Sequence, residues 1–347
     1  MKKQINYPSI EQFRNVIANI NRQANFVGLD ENGEAIINPT AKKPIITFTG
    51  TVKLHGTNAG ISFNNISGLW AQSRENIITP QKDNAGFAWF VESNKEVLLK
   101  LFNEIQQKEN IDLNNNTITI YGEWVGKGIQ KSVGISNLDK SLFIFGVKVS
   151  PFEIEGLEKQ LPAYWIDHSY IKATENKIYN INDYPTYSVE IDFNYPQLIQ
   201  NKLIELTQEV ENECPVAKEF GYDKTLGEGI VFTGEYNGVI YRFKSKGMKH
   251  SVSKVKVLAA VNTDKITSIK EFVEYAVTEN RFNQALQNVF LNGEEVNISK
   301  IGDVIRWVIN DVIKEETDTL IANNLEPKEI NKYVSNKVRE MFFNLPL

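Results

Sequence analysis

Short β-prone runs crowd the first 250 residues of this chain and stop before residue 260. They fall at 45–53, 59–64, 68–74, 117–124, 142–149, 188–193, 229–234 and 239–245. Some alternate apolar and polar residues, and others are apolar throughout. That mixture predicts strands packed in two sheets, because a strand buried on both faces reads as a continuous apolar run. From about Ala260 to Leu347 the spacing is helical. An amphipathic run after Ile266-Thr267-Ser268 carries Phe272, Ala276 and Val277, and further helices are predicted at roughly 280–290, 300–322 and 326–343. The expected class is α+β. A domain of mainly antiparallel sheets with flanking helices spans 1–255, and a small all-helical domain spans 256–347. The 347 residues suffice for one large or two ordinary domains.

Helices also interrupt the strands. Ser9-Ile10-Glu11-Gln12 has the form of a capping box, and Phe13, Val16, Ile17 and Ile20 follow at helical spacing. A polar loop comes next. A helix of about 20 residues is predicted around Phe87, Phe90, Val91, Val97, Leu98, Leu101, Phe102 and Ile105, and another from about Pro196 to Glu211. Residues 150–187 are rich in Asn, Pro, Tyr and Lys and read as irregular surface.

Composition narrows the chemistry. Cys214 is the single cysteine, so neither an intramolecular disulfide nor a cysteine metal site can form, which suits a reducing cytoplasm. His55, His168 and His250 are little material for a zinc site. No apolar run approaches ~18 residues and no apolar signal core opens the chain, so a soluble intracellular monomer off the membrane is expected. The net charge of −5 argues against a wholly basic nucleic-acid coat. One local basic track remains: Lys244, Lys246, Lys249, Lys254 and Lys256, with His250 and no acid between 244 and 260.

Five elements carry candidate chemistry. Lys53-Leu54-His55-Gly56-Thr57-Asn58 places a lysine at the end of a predicted strand, before a glycine turn. Thr117–Trp124 ends in the carboxylate of Glu123. Leu142–Val149 carries Phe143 and Phe145 at i, i+2, so both rings are expected on one side of a sheet. Gly227-Glu228-Gly229 sets a carboxylate before a strand, and Lys244 and Lys246 share a strand face. A lysine amine attacks only when neutral, and the Lys244/Lys246 pair could lower its pKa or hold a phosphate. Two carboxylates at separate strand ends could hold Mg²⁺, and a ring on a strand could stack a purine. Taken singly each element has a plain structural account: surface lysine, turn, core strand, solvated edge. Together they describe nucleotidyl transfer.

The order Lys-x-His-Gly-Thr-Asn, Tyr-Gly-Glu, Phe-x-Phe, Glu-Gly-Ile-Val and Phe-Lys-x-Lys resembles the covalent nucleotidyltransferase superfamily. Within it the chain is most similar to the RNA ligase 2 family of phage nick-sealing and kinetoplastid RNA-editing ligases. The five specified positions of the first motif would match by chance about once in three million windows at ~1/20 per position. The resemblance implies an ATP-grasp-like catalytic domain and an ATP-dependent RNA ligase joining 3′-OH and 5′-phosphate ends, at nicks in duplex RNA. Lys53 would carry AMP. His55, Asn58 and Arg74 would shape the nucleotide and phosphate end, Glu123 would hold the ribose and Phe145 would stack on adenine, with Phe143 as the rival. Glu228, with Glu123, would serve Mg²⁺ (or Mn²⁺), and Lys244 and Lys246 would grip the AMP phosphate. Val52 could offer only its backbone carbonyl. In the tail, Arg281, Asp311 and Glu315, with Lys249, Lys254 and Lys256, are candidate nucleic-acid contacts.

Three other readings share parts of this pattern. A DNA ligase or a capping guanylyltransferase would use the same chemistry. Those families usually carry Asp where this chain has His55, and they continue into an OB-like β domain that is not predicted here. A ligase fold retired to RNA binding is the non-enzymatic alternative, and the filled candidate positions argue against it.

Overall fold

In the computed structural model the described residues are 2–38, 40–83, 85–153, 156, 160–172, 174, 176–247, 269–290, 294–322 and 325–345. Along the chain lie α1 (Phe13–Asn25), β1 (Phe26–Leu29), β2 (Ala35–Ile37), β3 (Ile45–Lys53), β4 (Thr57–Asn64), β5 (Gly68–Ser73) and β6 (Ile77–Ile78). Next come α2 (Phe87–Ser93), α3 (Lys95–Glu109), β7 (Asn116–Val125), β8 (Ser141–Pro151), β9 (Tyr164–Ile166), β10 (Ile178–Asn180) and β11 (Thr186–Asp192). Then follow α4 (Gln200–Asn212), α5 (Pro215–Glu219), β12 (Gly229–Tyr236) and β13 (Val239–Lys246). The C-terminal helices are α6 (Ile269–Ala276), α7 (Glu279–Val289), α8 (Ile301–Glu315), α9 (Thr317–Ala322) and α10 (Pro327–Phe343). The expected α+β class, with antiparallel sheets and a helical C-terminal stretch, is what the chain adopts.

The larger sheet has the order β10-β8-β7-β4-β5-β6, with β9 also on β8; the smaller has β11-β3-β12-β13. Strands β3–β12, β4–β5, β4–β7, β5–β6, β7–β8 and β8–β9 pair antiparallel, and β10 runs parallel to β8. Alternation decides which face is filled. In β3 every second residue is buried, including Ile46, Phe48 and Val52. One face of the larger sheet packs Ile61, Ile118, Ile120, Trp124, Leu142 and Ile144 against Phe87, Leu98, Phe102 and Ile105 of α2 and α3. Each such side chain stabilises the fold by roughly 1.5–3 kcal/mol relative to exposure.

The chain forms two compact units: residues 1–11, 46–190 and 212–244, and residues 12–45, 191–211 and 245–347. Both sheets lie largely in the first. The second has a helical core in which Phe272, Val304, Val308, Ile330, Val334 and Phe342 meet. The boundary expected at 255/256 lies outside the described residues.

Several local expectations need correction. Helix α1 starts at Phe13 with Gln12 as its cap, and Gln12 makes no side-chain capping bond. The single helix expected over 87–105 is two, because Asn94 interrupts it. Its side-chain amide donates to the Phe90 carbonyl at 2.8 Å, a bond that competes with the helix ladder. Residues 150–187 include two three-residue strands, β9 and β10, too short for a periodic signal. The supposed polar loop after α1 folds into the β1–β2 hairpin.

Candidate active site

The smaller sheet presents Lys53. It is the last residue of β3, paired with Gly229 at the start of β12, so Glu228 arrives beside it. Lys53 Nζ donates to Glu228 Oε2 at 2.6 Å. Glu228 is only 2 % exposed, and His55 Nδ1 lies 3.5 Å from the same oxygen. A buried carboxylate needs such partners to remain charged. The Lys53 side chain itself is one-fifth exposed, so a solute can reach it.

His55 and Gly56 carry the chain from the smaller sheet into β4 of the larger one. Gly56 has no room for a side chain: a Cβ there would lie 2.3 Å from the Trp124 carbonyl oxygen. Its N–H donates to Glu123 Oε1 at 3.0 Å, which fixes the carboxylate to the loop that follows Lys53. Burial pushes the Glu123 carboxyl up to about 7; Lys53 pulls it down, and the charge of Glu228 raises it further. Three elements of the lysine motif thus converge on two carboxylates and one amine.

Register places the remaining residues. Asn58 of β4 lies opposite Glu123 of β7, and Glu123 lies opposite Phe143 of β8. Directly opposed residues share a face, so Asn58, Glu123 and Phe143 form a row. Arg74 lies one residue beyond the Ala59–Ser73 pair, level with Asn58, and is exposed. Lys244 and Lys246 alternate with buried Phe243 and Ser245 on β13, so both point away from that strand's core side. The Val52 side chain is 3 % exposed and does not line the site.

The two phenylalanines differ. Strand β8 has a bulge: Tyr121 faces Gly146 and Gly122 faces Ile144, so Phe145 is skipped. Phe143 is wholly buried and packs on Tyr179, Tyr184 and Phe220. Phe145 is half-buried and meets Tyr7 edge-on, with ring centroids 4.9 Å apart. Of the two rings Phe145 is the more accessible.

Gln130 was not singled out from the sequence. Its amide donates to the Gly56 carbonyl at 3.2 Å, while its buried Oε1 has no hydrogen-bond partner among the described residues. A glutamine after a glycine-rich turn carries no motif, and only the fold brings it to the loop.

The C-terminal candidates fall elsewhere. Arg281 is wholly buried; its Nε donates to Asp311 at 2.8 Å, Nη2 to Glu316 at 3.4 Å, and Nη1 to the Ala276 carbonyl. Glu315 accepts from Gln12 Nε2 at 3.1 Å through its side chain, and its carbonyl accepts from Arg14 at 2.9 Å. Arg281, Asp311 and Glu315 therefore make bonds within the second unit. Lys249, Lys254 and Lys256 lie outside the described residues.

Among the described residues no group of three or more His, Cys, Asp or Glu could hold a metal ion. Glu123 and Glu228 are near enough that the charge of Glu228 raises the Glu123 carboxyl, and Lys53 acts on both. Magnesium accepts one or two carboxylates and completes its shell with water and phosphate oxygens, so the pair fits it.

No helix is long and apolar enough to cross a membrane among the described residues. No curated protein matches the sequence. Similar solved structures include a Naegleria gruberi RNA ligase with PPi, at 14 % identity and a TM-score of 0.39, covering 71 % of this chain and 56 % of that one. Substituted forms of that ligase with ATP and Mn and with AMP and Mn match at 14 % identity over the same shares, with TM-scores of 0.42 and 0.39. The chain thus spans little more than half the length of those ligases. The RNA ligase family model matches residues 46–256, which hold Lys53, Glu123, Glu228 and both β13 lysines. That match takes in more than half of the sequence, and the chain belongs to the RNA ligase family.

Proposed function

We propose that this protein is an ATP-dependent RNA ligase that joins 3′-OH and 5′-phosphate ends, at nicks in duplex RNA, through a lysyl-AMP intermediate. The observation that carries this reading is the Lys53 Nζ–Glu228 contact of 2.6 Å, beside Glu123 and within reach of solvent.

The reading assigns roles to the chain's own groups. Lys53 Nζ attacks the α-phosphorus of ATP; the N–P bond forms, the bond to the bridging oxygen breaks and pyrophosphate leaves. The amine must shed a proton as it attacks, and Glu228 orients it by accepting its hydrogen bond. Lys244 and Lys246 supply positive charge to the transferred phosphoryl group. Glu123, fixed by the Gly56 N–H, holds the ribose, and Phe145 stacks on the adenine. Asn58 and Arg74, level with each other at adjoining strand positions, meet the phosphate end. A divalent ion held by Glu228 and Glu123 would offset charge on the phosphates. AMP then passes to the RNA 5′-phosphate, and the 3′-OH displaces it to close the strand. ATP, AMP and Mn in the solved Naegleria gruberi ligases are in keeping with this scheme.

The test is incubation with α-labelled ATP and Mg²⁺, followed by a nicked RNA duplex and, separately, a nicked DNA duplex. The expected result is labelled protein that passes its label to the RNA 5′ end, with the label leaving as free AMP when the nick closes. Sealing of DNA alone would replace the substrate in this reading, and absence of any label would remove the reaction.

A further inference from the structure

The larger sheet has two faces, and the chemistry above uses one. Glu123 stands on that face, while its neighbour Trp124 points through the sheet into the core beneath α2 and α3. On the helix side lies an open depression of about 450 Å³ between α2 and the turns that precede β8 and β10. Its floor is Trp124, whose indole N–H donates to the Ala85 carbonyl at 3.1 Å. Phe90 stands against Trp124 with centroids 4.7 Å apart.

Trp89 lines this depression and leaves 58 % of its surface exposed. Trp89 is carried on α2 and shares the lining with Phe90 and Trp124, so an indole face stands open beside an aromatic floor. The rim is cationic. Lys140 Nζ donates to the Ala85 carbonyl at 2.7 Å, a neutral acceptor that leaves its charge in place. Lys177 lies 2.9 Å and Lys127 3.4 Å from the one carboxylate of Asp139, so a single anion is shared by two cations. Asn94 and Asn176 are bonded to each other at 2.8 Å on the lining and present further amide groups. Two non-glycine residues at this rim, Ala85 and Lys177, hold left-handed backbone with φ of 54° and 61°. Such conformations concentrate where a shape is required by a site.

We propose that this depression is a second nucleic-acid subsite, separate from the Lys53 centre, that holds one unpaired nucleotide of an RNA strand. The base stacks on Trp89, and its phosphate lies between Lys140 and Lys177. The volume suits a single nucleotide. An aromatic platform beside lysines is how single strands are bound without sequence preference. The choice of RNA as ligand rests on the function proposed above; the geometry does not.

The experiment measures binding of a labelled single-stranded oligoadenylate RNA of about ten nucleotides to the full chain by fluorescence anisotropy. Trp89→Ala is expected to weaken binding at least about five-fold, and Trp89→Phe to retain most of it. The double substitution Lys140→Ala/Lys177→Ala is expected to lower the slope of log affinity against log salt by about one. All three variants should form labelled Lys53–AMP at the wild-type yield, which shows that they are folded. Unchanged affinity and salt slope in folded variants would overturn the subsite. So would tight binding of free AMP at Trp89 with no gain from a strand. If the wild-type protein takes no label from ATP, and Trp89→Ala melts as the wild type does yet weakens RNA binding, the ligase reading fails and the subsite stands.

Discussion

Glu123 concentrates the electrostatic tension of the site in one side chain. It is desolvated, faces the charge of Glu228, and is held by Lys53 and the Gly56 N–H. Its carboxyl ordinarily titrates near 4.5 and here near 7, so the folded protein binds a proton in that interval that the unfolded chain releases. The contribution is fully present below the unfolded value and is lost as pH rises through the folded one. Glu123→Gln keeps an oxygen for the Gly56 N–H and removes the charge. Relative to wild type, the variant is expected to gain stability between pH 4.5 and 7, by about 2 kcal/mol at a half-buried site. Denaturant titrations of both ligand-free proteins at pH 5 and pH 8 check this; an equal difference at the two pH values would contradict it. Lys53, His55, Glu123 and Glu228 were all legible in the sequence as strand-end residues in a fixed order. Their grouping came only through the family resemblance, because it depends on a pairing between residues 53 and 229 that no local pattern encodes. Gln130 was illegible for the same reason.

The β8 strand shows where an element misleads a sequence reading. Alternation alone puts Phe143 and Phe145 in equivalent positions, and the bulge makes them different. Phe143→Ala should empty a wholly buried site among Tyr179, Tyr184 and Phe220 and destabilise the fold by about 3–5 kcal/mol. Phe145→Ala should leave thermal stability nearly intact and raise the ATP concentration needed for adenylation about five- to 150-fold, since base stacking is worth ~1–3 kcal/mol. Melting curves and adduct yields against ATP concentration separate the two outcomes; the reverse assignment would make Phe143 the stacking ring. In the helical unit, periodicity located α7 and α10 within a residue or two and ran α8 and α9 together as one helix over 300–322, yet gave no sign that Arg281 turns inward. Its removal leaves Glu316, which is 2 % exposed, without its cation. Arg281→Ala is therefore expected to cost about 3–5 kcal/mol, read by denaturant unfolding. A change near zero would mean that this arginine is not the strut described.

At the scale of the whole molecule, the sequence made the class and the order of the longer strands and helices plain, while the two- to four-residue strands β1, β2, β6, β9 and β10 carry too few residues for a periodic signal. The division into units was less legible. The first unit gathers three separate stretches of chain and the second gathers three others, so neither follows a single break in composition. Every residue proposed to orient the amine of Lys53, Glu228 among them, belongs to the first unit. The central claim is that this amine becomes covalently adenylated. The most direct measurement is intact-protein mass and peptide mapping after incubation with ATP and Mg²⁺, on wild type, Lys53→Ala and Lys53→Arg. Arginine keeps the charge and cannot deprotonate at workable pH, so it should fail as completely as alanine. The account predicts one added AMP on wild type, located at Lys53, and none on either variant. An adduct at normal yield on Lys53→Ala, or one mapped to another residue, would contradict it.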